Sequence, residues 1–87
     1  MSFRLEYRSS VKKELHKLKH ADRVVIIEKI ERLKINPKPE GSAKLKGSRD
    51  LFRIRHGDYR IIYQIKKNVL LLIIIRVGHR RDIYKNL

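Results

Sequence analysis

Eighty-seven residues with no cysteine, carrying 23 Lys and Arg against 9 Asp and Glu for a formal net charge of +14, describe one small basic domain over residues 1–87. A chain this short buries only about 60–65% of its unfolded surface, so its core is modest, and neither disulfides nor thiolate-held metal can reinforce it. The cysteine-free composition fits a cytoplasmic protein. The longest apolar run, Val69 to Ile75, is far too short to cross a bilayer, and M-S-F-R-L-E-Y-R holds no signal core, so no membrane partner is expected.

In chain order, Phe3, Leu5 and Tyr7 alternate with Arg4 and Glu6, the pattern of a strand. Ser9 or Ser10 offers an N-cap for a short helix in which Val11, Leu15 and Leu18 recur at helical spacing through Lys19. Asp22 is the next N-cap candidate. Val25, Ile26, Ile30 and Leu33 form the apolar stripe of a second helix, expected to stop near Ile35 because Asn36-Pro37 disfavours continuation. Asn36 to Arg49, with two prolines and two glycines, reads as a loop whose apolar anchors are Ala43 and Leu45.

Three strands follow: Leu51 to His56, Tyr59 to Ile65 and Val69 to Ile75. Gly57-Asp58 fits a two-residue type II′ hairpin turn, which wants glycine at its first central position. That turn sets His56 opposite Tyr59, Arg55 opposite Arg60, Ile54 opposite Ile61 and Arg53 opposite Ile62. Opposed residues share a face, as do residues two apart along a strand. Arg53, Arg55 and Arg60 therefore lie on one face, and Phe52, Ile54, Ile61 and Tyr63 on the other, the core face. Gly78 is read as ending the last strand. The expected architecture is α+β: a small antiparallel sheet of about four strands with an N-terminal helix hairpin on one side.

Like charges directly opposed on a sheet are destabilising, so an Arg55–Arg60 pair asks for an anion. The overall charge favours nucleic acid or an acidic protein. His16 and His20 have the i, i+4 spacing of a metal pair but lack a third ligand and stand among lysines, so they read as surface residues and no metal or other cofactor is expected. Carboxylates are sparse in the sheet region, which argues against a two-metal nuclease. What remains is basic and phenolic: Arg53, Arg55, Arg60, His79, Arg80, Arg81 and Tyr84. Guanidinium forks suit phosphate. A metal-free enzyme can cut RNA through the substrate's own 2′-OH, with arginine stabilising the developing charge and histidine or tyrosine moving protons. DNA lacks that hydroxyl. On composition alone the reading stops at a basic α/β domain that binds phosphate.

F-R-I-R-H-G-D-Y-R-I-I-Y-Q-I followed by V-G-H-R-R-D-I-Y resembles the RelE branch of the RelE/ParE toxin superfamily. V-K-K-E-L-H-K-L, the helix ending at N-P and the K-L-K-G loop extend the resemblance over nearly the whole chain. It implies the toxin of a type II toxin–antitoxin pair that enters the ribosomal A site and cleaves mRNA without a metal, leaving a 2′,3′-cyclic phosphate and a 5′-OH. It also implies an acidic RelB-like antitoxin as partner, with operator DNA bound only as the complex. By position, Arg60 and Arg80 fall where the family holds phosphate-stabilising arginines, and Tyr84 where it holds a tail tyrosine. Arg53 and Arg55 stand where the best-known members have lysines. An arginine cannot serve as a base, which leaves His79, with Tyr84 behind it, as the acid–base candidate. Arg53, Arg55 and Arg81 are the expected RNA-binding set. Two alternatives keep other targets: a ParE-like poison of DNA gyrase, and a non-catalytic RNA- or ribosome-binding module.

Overall fold

The computed structural model describes residues 2–85. The elements are β1 (Arg4–Tyr7), α1 (Ser9–His16), α2 (His20–Arg32), β2 (Ala43–Lys44), β3 (Leu51–His56), β4 (Tyr59–Lys66), a 3-10 turn (Lys67–Val69) and β5 (Leu71–His79). They build one five-stranded sheet in the order β1-β5-β4-β3-β2. β2 through β5 are antiparallel neighbours, and β1 joins β5 in parallel, Arg4 opposite Leu71 and Tyr7 opposite Ile74. The α+β class and the helix hairpin on one face agree with the sequence reading. The sheet is mixed, because β1 returns alongside the last strand, and the two residues of β2 add a short fifth strand inside the Asn36–Arg49 loop.

Hairpin β3–β4 has the register expected from Gly57-Asp58, with Arg55 opposite Arg60 and Arg53 opposite Ile62. Gly57 has φ +57°, while Asp58 keeps a negative φ, the combination of a type II′ turn. Two boundaries differ. The last strand starts at Leu71 rather than Val69, because Lys67–Val69 is wound into a 3-10 turn and Leu70 takes a left-handed φ of 50°. Nor does Gly78 end it: the ladder continues through Arg60–Gly78 to Tyr59–His79, since a glycine with extended backbone breaks nothing while its partner strand is in place.

The helices also begin elsewhere. Asp22 sits in the first turn of α2 rather than at its cap, which is Lys19. Its carboxylate is drawn instead to His56 Nε2 at 3.0 Å, tying α2 to the end of β3. α1 stops at His16 and α2 at Arg32, each a few residues short of the expected end.

The main core lies between the helices and the sheet. Val11 and Leu15 of α1 and Ile26, Ile30 and Leu33 of the α2 segment meet Phe52, Ile54, Ile61, Tyr63, Ile65, Leu72, Ile74 and Val77. Tyr63 is fully buried and donates its hydroxyl to the Pro37 carbonyl at 2.6 Å, which pins the loop after α2. Burial pushes its phenol up to about 12. The opposite face carries a second, smaller cluster of Ile62, Ile75 and Ile83, with Leu45, Leu51 and Ile73 packed around it. A register shift between Ile62 and Tyr63 brings Ile75 onto this side.

Candidate functional site: an arginine face closed by the C-terminal tail

The face away from the helices is built in rows across β3, β4 and β5. One row is Arg55, Arg60 and Gly78, and the next is Arg53, Ile62 and Arg76. Arg55 is exposed. Arg60 folds its Nη1 back onto the hairpin tip, donating to the carbonyls of Gly57 and Tyr59, both at 3.0 Å. These bonds hold the guanidinium without neutralising it. Opposite Arg60 stands Gly78, whose missing side chain leaves the space that Ile83 of the tail occupies.

Arg80 reaches the same tip. Its backbone N–H donates to the Asp58 carbonyl at 2.7 Å, and its Nε lies 3.6 Å from the Asp58 carboxylate. Both side chains of that pair are more than half exposed, so it is worth little and leaves Arg80 available. Arg55, Arg60 and Arg80 are thus gathered around one turn. A scissile phosphate there would meet several guanidinium forks and a single weakly held carboxylate.

Residues 80–85 fold back as a turn across the second apolar cluster. Ile83 is fully buried against Ile62 and Ile75, and its Cδ1 sits over Gly78 at 3.4 Å from where a Cβ would stand. Tyr84 beside it is 48% exposed. It shares a shallow depression with Arg53, Lys44, Lys46 and Ser48. Arg53 Nη1 is buried there and has no hydrogen-bond partner among the described residues. Arg81 is exposed, and its backbone N–H donates to His79 Nδ1 at 3.2 Å.

His79 is not brought together with the arginines. It occupies the row of His56 and Tyr59, on the helix-covered side of the sheet, where its ring meets Tyr59 edge-on at 6.2 Å between centroids. By strand alternation it faces the side opposite Arg60, and its Nδ1 accepts the Arg81 N–H. His16 and His20 belong to different elements, the last residue of α1 and the first of α2, so their spacing does not align them on one helix.

Arg76 was missed by the sequence reading. It is the one charge inside the apolar run of β5, and that interruption was its only signal. It spans Glu14 on α1 and the carbonyls of Ile83 and Lys85 in the tail.

A helix hairpin on one side of a small sheet, with an open arginine face and a tail closing its edge, defines a class. The chain belongs to the RelE/ParE superfamily: residues 5–84 match the ParE toxin family of type II toxin–antitoxin systems. Its relatives fall on the RelE side. It is 34% identical to a Methanocaldococcus jannaschii protein provisionally named toxin RelE1, over 99% of both chains, and 28% identical to toxin RelG of Mycobacterium tuberculosis. It superposes on a chain of the archaeal RelE–RelB complex of Pyrococcus horikoshii with a TM-score of 0.82 and 30% identity, covering 92% of this chain and 97% of that one. For the isolated E. coli RelE toxin the TM-score is 0.78 at 27% identity, covering 91% of this chain and 84% of that one.

Proposed function

We propose that this RelE-type toxin is a ribosome-dependent endoribonuclease that cleaves mRNA in the A site and so stops translation. The observation that carries the reading is the convergence of Arg55, Arg60 and Arg80 on one hairpin tip, with Tyr84 on the same face. In the proposed reaction the substrate 2′-oxygen attacks the adjacent phosphorus and the P–O5′ bond breaks. The 2′-OH gives up its proton and the departing 5′-oxygen gains one, leaving a 2′,3′-cyclic phosphate and a 5′-OH. Arg60 and Arg80 stabilise charge on the phosphorane. Arg53, Arg55 and Arg81 hold the flanking backbone. Tyr84 stacks on a base and presents its hydroxyl for proton transfer, and no metal takes part. His79, in the row of Tyr59 on the other face, is a second candidate for proton transfer beside Tyr84, with groups of the ribosome behind both. Arginines bind a flexible strand without orienting it, so the ribosome supplies in-line geometry, a contribution of up to ~7–11 kcal/mol in favourable cases.

In the same reading the protein works in the cytoplasm and is neutralised by an acidic RelB-like antitoxin, with operator DNA bound only by the pair. Solved relatives are complexes of RelE with RelB, and a net charge of +14 calls for an acidic partner. The test is induction of the chain in cells with mapping of new 5′ ends, followed by cleavage with purified ribosomes. Metal-independent cuts in ribosome-bound mRNA, with free RNA left largely intact, are expected. Inhibition of gyrase supercoiling with mRNA untouched would replace this reading with the DNA-directed one, and RNA binding without cuts would leave a binding module.

A further inference from the structure

Among the described residues no strand lies beside the outer edge of β5 past Ile74, because β1 ends at Tyr7. α1 covers this stretch and supplies Glu14, whose Oε1 accepts the Val77 N–H at 2.9 Å. The other carboxylate oxygen, Oε2, lies 3.4 Å from Arg76 Nε, and both side chains are largely covered. With its Nε turned to Glu14, the Arg76 guanidinium aims Nη1 at the tail and donates to the carbonyls of Ile83 at 3.2 Å and Lys85 at 2.6 Å. These two carbonyls bracket Tyr84. The side chain before Tyr84 is sunk in the second apolar cluster, and the backbone on both sides of it is gripped by one planar fork. The other bonds of this turn are local or exposed: Asp82 and Ile83 N–H to the His79 carbonyl, Lys85 N–H to that of Asp82, Arg80 N–H to the Asp58 carbonyl, Arg81 N–H to His79 Nδ1 and an exposed Lys85–Asp82 ion pair.

We infer that Arg76, itself oriented by Glu14, is a positioning residue that fixes the direction in which Tyr84 is presented to RNA. A guanidinium is required because its donors lie in a fixed plane and can serve a carboxylate and two carbonyls together. A lysine ammonium is a point charge on a flexible stem and would not hold the same three partners. The inference rests on the reading above that Tyr84 engages RNA. It assigns no contact with substrate to Arg76.

The test combines amide hydrogen exchange on the free toxin with single-turnover cleavage of mRNA on programmed ribosomes, for Arg76→Ala, Arg76→Lys, Glu14→Gln, Tyr84→Ala and Arg76→Ala/Tyr84→Ala. In Arg76→Ala the amides of Ile83 and Lys85 are expected to exchange at least about 10-fold faster, while those of the β3–β4 hairpin stay protected. The cleavage rate at saturating toxin should fall to that of Tyr84→Ala, the toxin concentration giving half-maximal rate should change less, and the double variant should lose nothing further. Arg76→Lys and Glu14→Gln should each show a partial form of both effects. Unchanged tail exchange in Arg76→Ala and Glu14→Gln would overturn the positioning role of Arg76, as would faster exchange with wild-type cleavage. A double variant whose losses multiply would assign Arg76 a separate role and also overturn it. Should wild type cut no mRNA, the functional reading falls, while the exchange data still decide whether Arg76 orders the tail. Global unfolding of Arg76→Ala, seen as lost hairpin protection, would show a structural role, and the Glu14→Gln result would then settle the positioning claim.

Discussion

Replacing Ile83 with alanine is expected to destabilise the fold by about 2–3 kcal/mol, although the residue lies beyond the last strand. Ile83 has no exposed surface and packs on Ile62 and Ile75, which are themselves covered. Truncating a buried isoleucine to alanine typically costs about 2–5 kcal/mol, from lost transfer energy plus the cavity left behind. The low end applies because Leu45, Leu51 and Ile73 around this cluster are only partly buried and can settle into the space. For a domain of this size such a loss lowers the melting midpoint by roughly 10–20 °C. Urea unfolding followed by circular dichroism is the assay, with Tyr84→Phe as control. That neighbour is half exposed, and its hydroxyl has no hydrogen bond among those described, so its stability should stay within about 0.5 kcal/mol of wild type. Ile83→Ala keeps the backbone carbonyl that Arg76 holds, so it isolates packing from the Arg76 hydrogen bonds to the tail. A loss below about 0.5 kcal/mol would refute the view that the tail belongs to the fold. Deleting residues 80–87 should then be harmless to stability, whereas the buried Ile83 predicts that it exposes Ile62 and destabilises the domain further.

Arg60→Ala should reduce single-turnover cleavage on ribosomes by about 10²–10³. Its stability should stay within about 1 kcal/mol of wild type, because one exposed and one part-buried tip hydrogen bond are lost while repulsion from Arg55 is relieved; a much earlier melt would make it structural. Tyr84→Phe should lose roughly 10²–10⁴-fold if its hydroxyl moves a proton, and near-wild-type rates across pH 5–9 would restrict Tyr84 to stacking. His79→Ala, on the far side of the sheet, should stay within about 10-fold of wild type, and a larger loss with an altered pH profile would restore it as acid or base. Tyr63→Phe should cost about 1 kcal/mol through the lost bond to Pro37. Burial raises the Tyr63 phenol to about 12 from an ordinary value of 10.0. The stability it brings is therefore fully present below pH 10 and lost as pH rises through 12. Alkaline unfolding curves of the Phe variant should lack that decline.

The β3–β4 hairpin was legible because its information is local. Gly57-Asp58 sets the turn, alternation sets the faces, and no other part of the chain is needed to place Arg55 opposite Arg60. What was not legible depends on partners distant in sequence. Asp22 reads as a cap from its neighbours, yet the group that claims it is His56, 34 residues away. Gly78 reads as a break, yet β4 extends far enough to pair with it. The second apolar cluster has no periodicity to announce it, since Ile62, Ile75 and Ile83 come from two strands and the tail, and Ile75 joins them through a register shift without a sequence mark. His79 could be placed behind the sheet only once the strand was known to continue past Gly78, which carries the alternation two residues further.

The two faces of the sheet divide stability from charge, and the tail is where they meet. On the helix side nearly every inward position is apolar, which a chain with a modest core needs. The other side keeps Arg53, Arg55, Arg60 and Arg76 in two adjacent rows, an arrangement that repels itself. Covering that whole face with apolar residues would strengthen the fold and remove its capacity to hold an anion. Ile62 and Ile83 resolve the conflict locally. They form a small apolar patch, Ile62 within one row and Ile83 over Gly78 of the other, that seats the tail, and the tail in turn carries Arg80 to the hairpin tip and sets Tyr84 beside the depression that Arg53 lines. The same patch therefore serves the fold and the placement of the proposed site residues Arg80 and Tyr84, and Ile83→Ala is expected to affect both stability and activity. Arg60, only partly buried and outside both apolar clusters, should affect activity far more than stability.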